Sequence, residues 1–398
     1  MAAEQASSTV SGSASVSGPA GSLPELIRHR FPIFEHLTYV NSCSQGALSD
    51  VVRASYQDYL DGLEREGSLW EHWVGKQESV RGQLATLLGA TPAEIAVTTS
   101  GSAAVSSLAS SFDFSPGRNK VVTTDLEFPM IGQIWHAQER RGAEVVHVPA
   151  DPDNTIPLER FAETIDDRTA IVSLTQVCYR NGARMDLAPI IELAHARGAL
   201  VLVDAYQGVG AVPLDVVELD ADFVTGGVLK YLLSSPGVGF LYAKQATTAA
   251  LQPTVTGWFA ARDIFAMDIH SYDPAPDARR FESGTPAVPS LYAAEAGIAL
   301  MLEIGVANSW SHVQGLLAQL RAGVERIGGT VATPIGSAGP MLAVQSTDEH
   351  AAVKALERDG VIVSSRDGNV RISPHCYNND ADVEAVIAAL HRNRELLR

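Results

Sequence analysis

The chain has 398 residues, 46% of them hydrophobic and 19% charged, which suits a folded protein with a large core and two or three structural domains. Its formal net charge of -17 argues against nucleic acid and anionic membrane as partners, since both would face a surface of like sign, and leaves small molecules. Cys43, Cys178 and Cys376 lack metal-ligand spacing and imply a reducing, cytoplasmic setting, and no apolar run reaches the roughly 18–20 residues that span a bilayer.

Residues 1–23 are rich in Ser, Gly and Ala and read as a flexible tail, without the basic start and apolar centre of a secretory signal. Residues 24–75 form an N-terminal segment that includes "YVNSCSQGALS". From 76 to 255, short β-branched runs ("EIAVTTS", "KVVTTD", "EVVHVPA", "AIVSLTQ", "ALVLVDA", "DFVTGG", "GFLYA") alternate with helical stretches such as "LAPIIELAHARG", whose Gly198 suits a C-cap. The alternation predicts an α/β fold: a large domain with a mostly parallel, seven-stranded sheet covered by helices on both faces. Ligands of such sheets bind beyond the carboxyl ends of the strands. Residues 256–287 form a connecting segment. Residues 288–398 predict a smaller α+β domain, opening with a helix over 288–304 and closing with strand, turn and capped helix in "VRISPHCYNNDADVEAVIAAL".

Lys230 stands in "DFVTGGVLKYLLSS", among glycines and apolar residues. A lysine in a partly dry setting sheds its proton and becomes a nucleophile. Asp204 ends the run "ALVLVD", 26 residues earlier. Alone, Asp204 reads equally as a helix cap and Lys230 as a surface residue. Together they are the two groups that pyridoxal 5'-phosphate needs: an amine for covalent attachment and a carboxylate to keep the ring nitrogen protonated. Gly101, Ser102 and Ala103, at a turn between a strand end and a small-residue helix, offer N–H groups for the phosphate, or an ordinary Ser/Gly turn. Phe128 is placed to stack on the ring or to join the core, and Gln176 to donate to the ring oxygen or to serve as a loop residue.

The set Ser100-Gly101-Ser102, Phe128-Pro129, Asp204-x-x-Gln207 and Lys230-Tyr231-Leu232 resembles the class V aminotransferase family of fold-type I pyridoxal-phosphate enzymes, over nearly the whole chain after residue 24. "LKYL", Phe128-Pro129 and "GWFA" are similar to its kynureninase-like and cysteine-desulfurase-like branch. The resemblance implies that Gln207 contacts the ring-oxygen side, and that the N-terminal segment folds back so that Cys43 and Ser44 line the substrate pocket. It implies a homodimer with shared active sites, in which Trp258 of "GWFA" and Thr285 of "FESGTPAV" reach the phosphate across the interface. It assigns Arg371 of "VRISPHCYN" to the substrate carboxylate, which a planar guanidinium matches with two parallel hydrogen bonds. Two departures stand out: Leu229 replaces the tyrosine or histidine of relatives, and "VSSRDGN" carries no thiol where desulfurases place their persulfide cysteine.

These residues predict a pyridoxal-phosphate enzyme acting on an amino acid, with Lys230 and Asp204 as the catalytic pair and no metal. A class V aminotransferase is the first reading. A kynureninase-like hydrolase or carbon-sulfur lyase is the second, and a non-catalytic binding or regulatory protein on the same fold is the third.

Overall fold

A computed structural model describes residues 22–398. Of the expected tail, only Ser22 and Leu23 fall within the described residues, and they open a short helix, Leu23–Ile27. Seven strands build the large sheet: β1 Ile95–Thr98, β2 Lys120–Thr124, β3 Glu144–Val148, β4 Thr169–Thr175, β5 Leu200–Asp204, β6 Phe223–Gly227 and β7 Gly239–Ala243. Their order is β1-β7-β6-β5-β4-β2-β3, and β7 alone runs antiparallel to its neighbours. The mostly parallel seven-stranded sheet predicted from the alternating runs is therefore present.

Apart from the edge strand β3, both faces are dry, which explains why the strands read as continuous apolar runs. Val97, Val122, Val172, Val201 and Val224 face a core shared with Leu84, Leu88, Ile190 and Leu291. Their chain neighbours Ala96, Val121, Ile171, Leu202 and Phe223 face the opposite core with Leu108, Ile131 and Trp135. The pleat sends successive side chains to opposite faces, so each strand serves two cores. Burying so much β-branched surface also fixes register, because a slip by one residue would exchange the two faces.

The parallel connections bring the carboxyl ends of β1, β2, β4, β5 and β6 to one edge. Helices α1 Gly101–Ser110 and α2 Pro129–Ala137 start there, capped by Ser100 and preceded by Phe128. The predicted helix over 288–304 is α3 Val288–Ile304, and α4 Val306–Arg326 follows it. The small domain adds a three-stranded antiparallel sheet of β8 Leu342–Gln345, β9 Ser364–Arg366 and β10 Asn369–Ile372. Its last helix, α5 Asp380–Arg392, is capped by Asn379, which accepts from the Asp382 N–H at 3.1 Å.

The N-terminal segment binds the small domain before it reaches the large one. Arg28 forks onto the Asp382 carboxylate at 2.6 and 2.9 Å, and Thr38–Tyr39 pairs in parallel with Val361–Ile362. The Gly46 N–H then donates to the Leu229 carbonyl at 2.9 Å. A side chain at Gly46 would collide with the Lys230 carbonyl, at 2.3 Å from its Cβ. Glycine is what lets the segment close over the lysine.

Candidate active site

A cavity of about 370 Å³ opens at the carboxyl edge of the sheet, where five strand ends meet residues 43 and 44 and the β9–β10 hairpin. Asp204 ends β5 with its carboxylate buried, one oxygen accepting from the Tyr206 N–H at 2.9 Å. Lys230 follows β6, and its Nζ lies 4.8 Å from the centre of the Tyr206 ring. Gly227, at the end of β6, makes room for that ring: a Cβ there would sit 2.2 Å from it. The glycines noted beside Lys230 thus hold an aromatic floor beneath its ammonium.

Burial lowers the Lys230 pKa to about 8, although the charges of Cys43 and Asp204 pull it upward. Burial raises that of Asp204, opposed by the Tyr206 N–H and by Lys230. Both shifts express the same cost, that of holding a charge away from water. At neutral pH a lysine with a pKa near 8 carries a usable fraction of free amine, which an ordinary lysine does not.

On the small-domain side, Arg371 is buried, and its Nη1 donates to the Tyr179 carbonyl at 2.7 Å. Its Nη2 donates to Ser364 at 3.0 Å and Ser44 at 3.3 Å, while Nε has no partner. Gln207 donates to the Cys43 carbonyl at 3.1 Å, and its Oε1 is buried without a partner. Cys43 and Ser44 border the cavity with them, and the Cys43 sulfur lies 3.7 Å from Ser364 Oγ. Phe128 stands at the mouth, half open to solvent and packed edge-on against Tyr179 at 4.9 Å.

Two residues expected at this site, Gln176 and Ala103, lie elsewhere, and two assigned to the neighbouring subunit's site, Trp258 and Thr285, lie outside the cavity of their own chain. Thr175 and Val177 face the cavity, so the pleat turns Gln176 to the opposite side, over the backbone of Gly208 and into a separate groove with Arg184 and Leu214. The Ala103 N–H is taken by Ser100 Oγ at 3.1 Å, which leaves Gly101 and Ser102 as the cavity-facing start of α1. Trp258, packed edge-on against Trp70 at 5.8 Å, and Thr285, exposed, do not line the cavity of their own chain. Conversely, Tyr206, Thr175 and Arg366, which line the cavity, and Ser364, which accepts from Arg371 behind it, were not expected there.

The cavity fits pyridoxal phosphate in this chain's own terms. A half-buried amine and a buried carboxylate, each costly alone, face one space that opens on the N-terminus of α1, whose N–H groups and dipole favour an anion. A group presenting an aldehyde carbon, a protonated ring nitrogen and a phosphate answers all three. Among the described residues no cluster of three or more metal-ligating side chains competes with that reading.

The aminotransferase class-V family model matches residues 47–386. The chain belongs to that family. As a member it is a pyridoxal-phosphate-dependent enzyme acting on amino acids. It is 36% identical to YcbU, an uncharacterized aminotransferase of Bacillus subtilis, over 92% of this chain and 96% of that one. A kynureninase of Deinococcus radiodurans is 31% identical, over 68% of this chain and 67% of that one. A probable cysteine desulfurase of Methanothermobacter thermautotrophicus is 27% identical, over 90% and 95%. The fold is also that of the apo cysteine desulfurase from Thermococcus onnurineus, with a TM-score of 0.85 at 20% identity, covering 94% of this chain and 98% of that one. No single helix among the described residues is long and apolar enough to cross a membrane.

Proposed function

We propose that this enzyme transfers the amino group of an α-amino acid, and that Lys230, Asp204 and Arg371 carry the reaction from one cavity. The observation that carries this reading is that these three side chains, drawn from two domains, line the same 370 Å³ space. Bound pyridoxal phosphate supplies an aldehyde carbon that takes the substrate amine and a conjugated ring that accepts electron density from Cα. Arg371 holds the substrate carboxylate with its free donor capacity, Nε included. Lys230, as a free amine, would take the proton from the substrate Cα, a task suited to a base near pKa 8. Asp204 keeps its charge against the ring nitrogen. Phe128 would stack on the ring, Gln207 would contact its oxygen side, and the start of α1 at Gly101 and Ser102 would hold the phosphate.

In this reading the enzyme is a homodimer of the reducing cytoplasm. Trp258 and Thr285 stand outside their own cavity on a stretch that exposes Val255, Phe265, Met267, Ile269 and Tyr272, the kind of apolar surface that subunit association covers. Carbon-sulfur bond cleavage is the second reading, favoured by one observation, the Cys43 thiol in the cavity wall. Incubation of the holoenzyme with amino acids, with and without a 2-oxo acid acceptor, separates the two. Amino transfer yields a 2-oxo acid from the donor and a new amino acid from the acceptor. Release of sulfide or alanine, without acceptor dependence, would refute transfer.

A further inference from the structure

The cavity is positive inside a protein of net charge -17. Among the described residues Asp204 is the only carboxylate that lines it, against Lys230, Arg366 and Arg371. Asp204 and Lys230 are committed to the cofactor and Arg371 to the α-carboxylate, so Arg366 is left over. It lies on β9, two residues from Ser364, whose partner across the ladder is Arg371. Ser364 and Arg366 therefore leave the strand on one face, and Arg366 stands diagonal to Arg371 at about 7–8 Å between Cα atoms. One guanidinium N–H of Arg366 meets the Ser365 carbonyl at 2.8 Å, and among the described residues no carboxylate lies within ion-pair reach. The nearby carboxylate of Asp367 is turned instead to Arg180, at 3.6 Å. Two like charges side by side at a cavity wall repel unless an anion comes between them.

We propose that Arg366 reads a second anionic group, so that the substrate is an α-amino acid whose side chain ends in a carboxylate or another anion. This rests on the amino-acid reading above. Arg371 takes the α-carboxylate in the buried part of the cavity, and Arg366 takes the side-chain anion nearer its mouth. The diagonal spacing of about 7–8 Å, bridged by two long flexible side chains, suits aspartate- or glutamate-sized molecules, whose carboxyl groups are separated by one or two methylenes beyond Cα. Phe128, Met130 and Val177 line the same cavity but offer no hydrogen bond to an amide terminus. Arg366 is exposed and keeps its water beside an uncharged isostere, which therefore forgoes the charge-assisted contact.

The test is a titration of the visible spectrum of the holoenzyme with L-glutamate, L-aspartate, L-glutamine and L-asparagine, for wild type, Arg366→Ala and Arg366→Lys. The acids should half-saturate at concentrations about 10- to 100-fold below their amides, the usual value of one charge-assisted contact. In Arg366→Ala that ratio should fall to within about threefold, and Arg366→Lys should restore part of it. Equal response of wild type to acids and amides overturns the inference and leaves the amino-acid reading standing. So does an unchanged ratio in Arg366→Ala with weakened pyridoxal-phosphate retention, which would assign Arg366 to the cofactor phosphate. No response to any amino acid overturns both.

Discussion

Replacing Lys230 by Met should make the cofactor-free protein more stable at neutral pH, although it destroys the enzyme. In the folded chain burial lowers the lysine pKa from 10.5 to about 8, so the folded state binds its proton less tightly than the unfolded state does. The penalty is fully present below about pH 8, where both states are charged, shrinks between pH 8 and 10.5, and is gone above 10.5. A gap of about 2.5 between the two values corresponds to about 3 kcal/mol. The Tyr206 ring under the ammonium returns about 0.5–1 kcal/mol, which leaves a net gain of about 2–3 for a thioether of similar length. Urea unfolding of cofactor-free wild type and variant at pH 7, 9 and 10.5 measures this, and the difference between the two cancels the titrating groups that do not interact with Lys230, with Asp204 the exception. The advantage of the variant should be largest at pH 7 and nearly absent at pH 10.5. A difference that does not change with pH, or a wild type more stable at pH 7, would refute the claim that Lys230 is held as a poorly solvated cation.

Three further outcomes follow from the same geometry. Asp204→Asn, which keeps shape but removes the charge facing the ring nitrogen, should lower kcat by roughly 10²–10³, equivalent to about 3–4 kcal/mol of transition-state stabilisation; single-turnover rates check it, and a loss of only a fewfold counts against the role. Arg371→Ala should retain the cofactor's visible absorbance while the amino-acid concentration that perturbs it rises by about 30- to 1000-fold, whereas amines lacking a carboxylate should bind wild type and variant alike. Mixed and reassembled Lys230→Met and Trp258→Ala chains, each inactive alone, should recover activity if Trp258 completes the site of the neighbouring subunit; no recovery after demonstrated subunit exchange assigns Trp258 to its own chain.

How much of the site was legible varies by residue. Asp204 and Lys230 could be read because each follows a strand run whose end is visible in sequence, and parallel strands send their carboxyl ends to one edge whatever their order. Gln176 was misplaced because facing depends on where the pleat starts, and β4 extends through Thr175 with all seven residues buried, so the sequence carries no polar alternation to mark its sides. Ala103 was assigned to the phosphate because a helix start was evident, yet Ser100 takes its N–H in capping the helix. Arg366 escaped notice since only the hairpin pairing of β9 with β10 sets it beside Arg371.

The chain by itself determined the features that depend on neighbours a few residues apart: two-faced strands, the caps of α1 and α5, the glycines around Lys230, and the spacing that pairs an amine with a carboxylate. Only the tertiary structure decided which side chains share the cavity, that Ser44 and Ser364 flank Arg371 from segments 320 residues apart, and how far burial lowers the Lys230 pKa. Solvation and diagonal contacts arise between segments remote in sequence, and no local pattern of residue types encodes the dry space that forms when those segments close on one another.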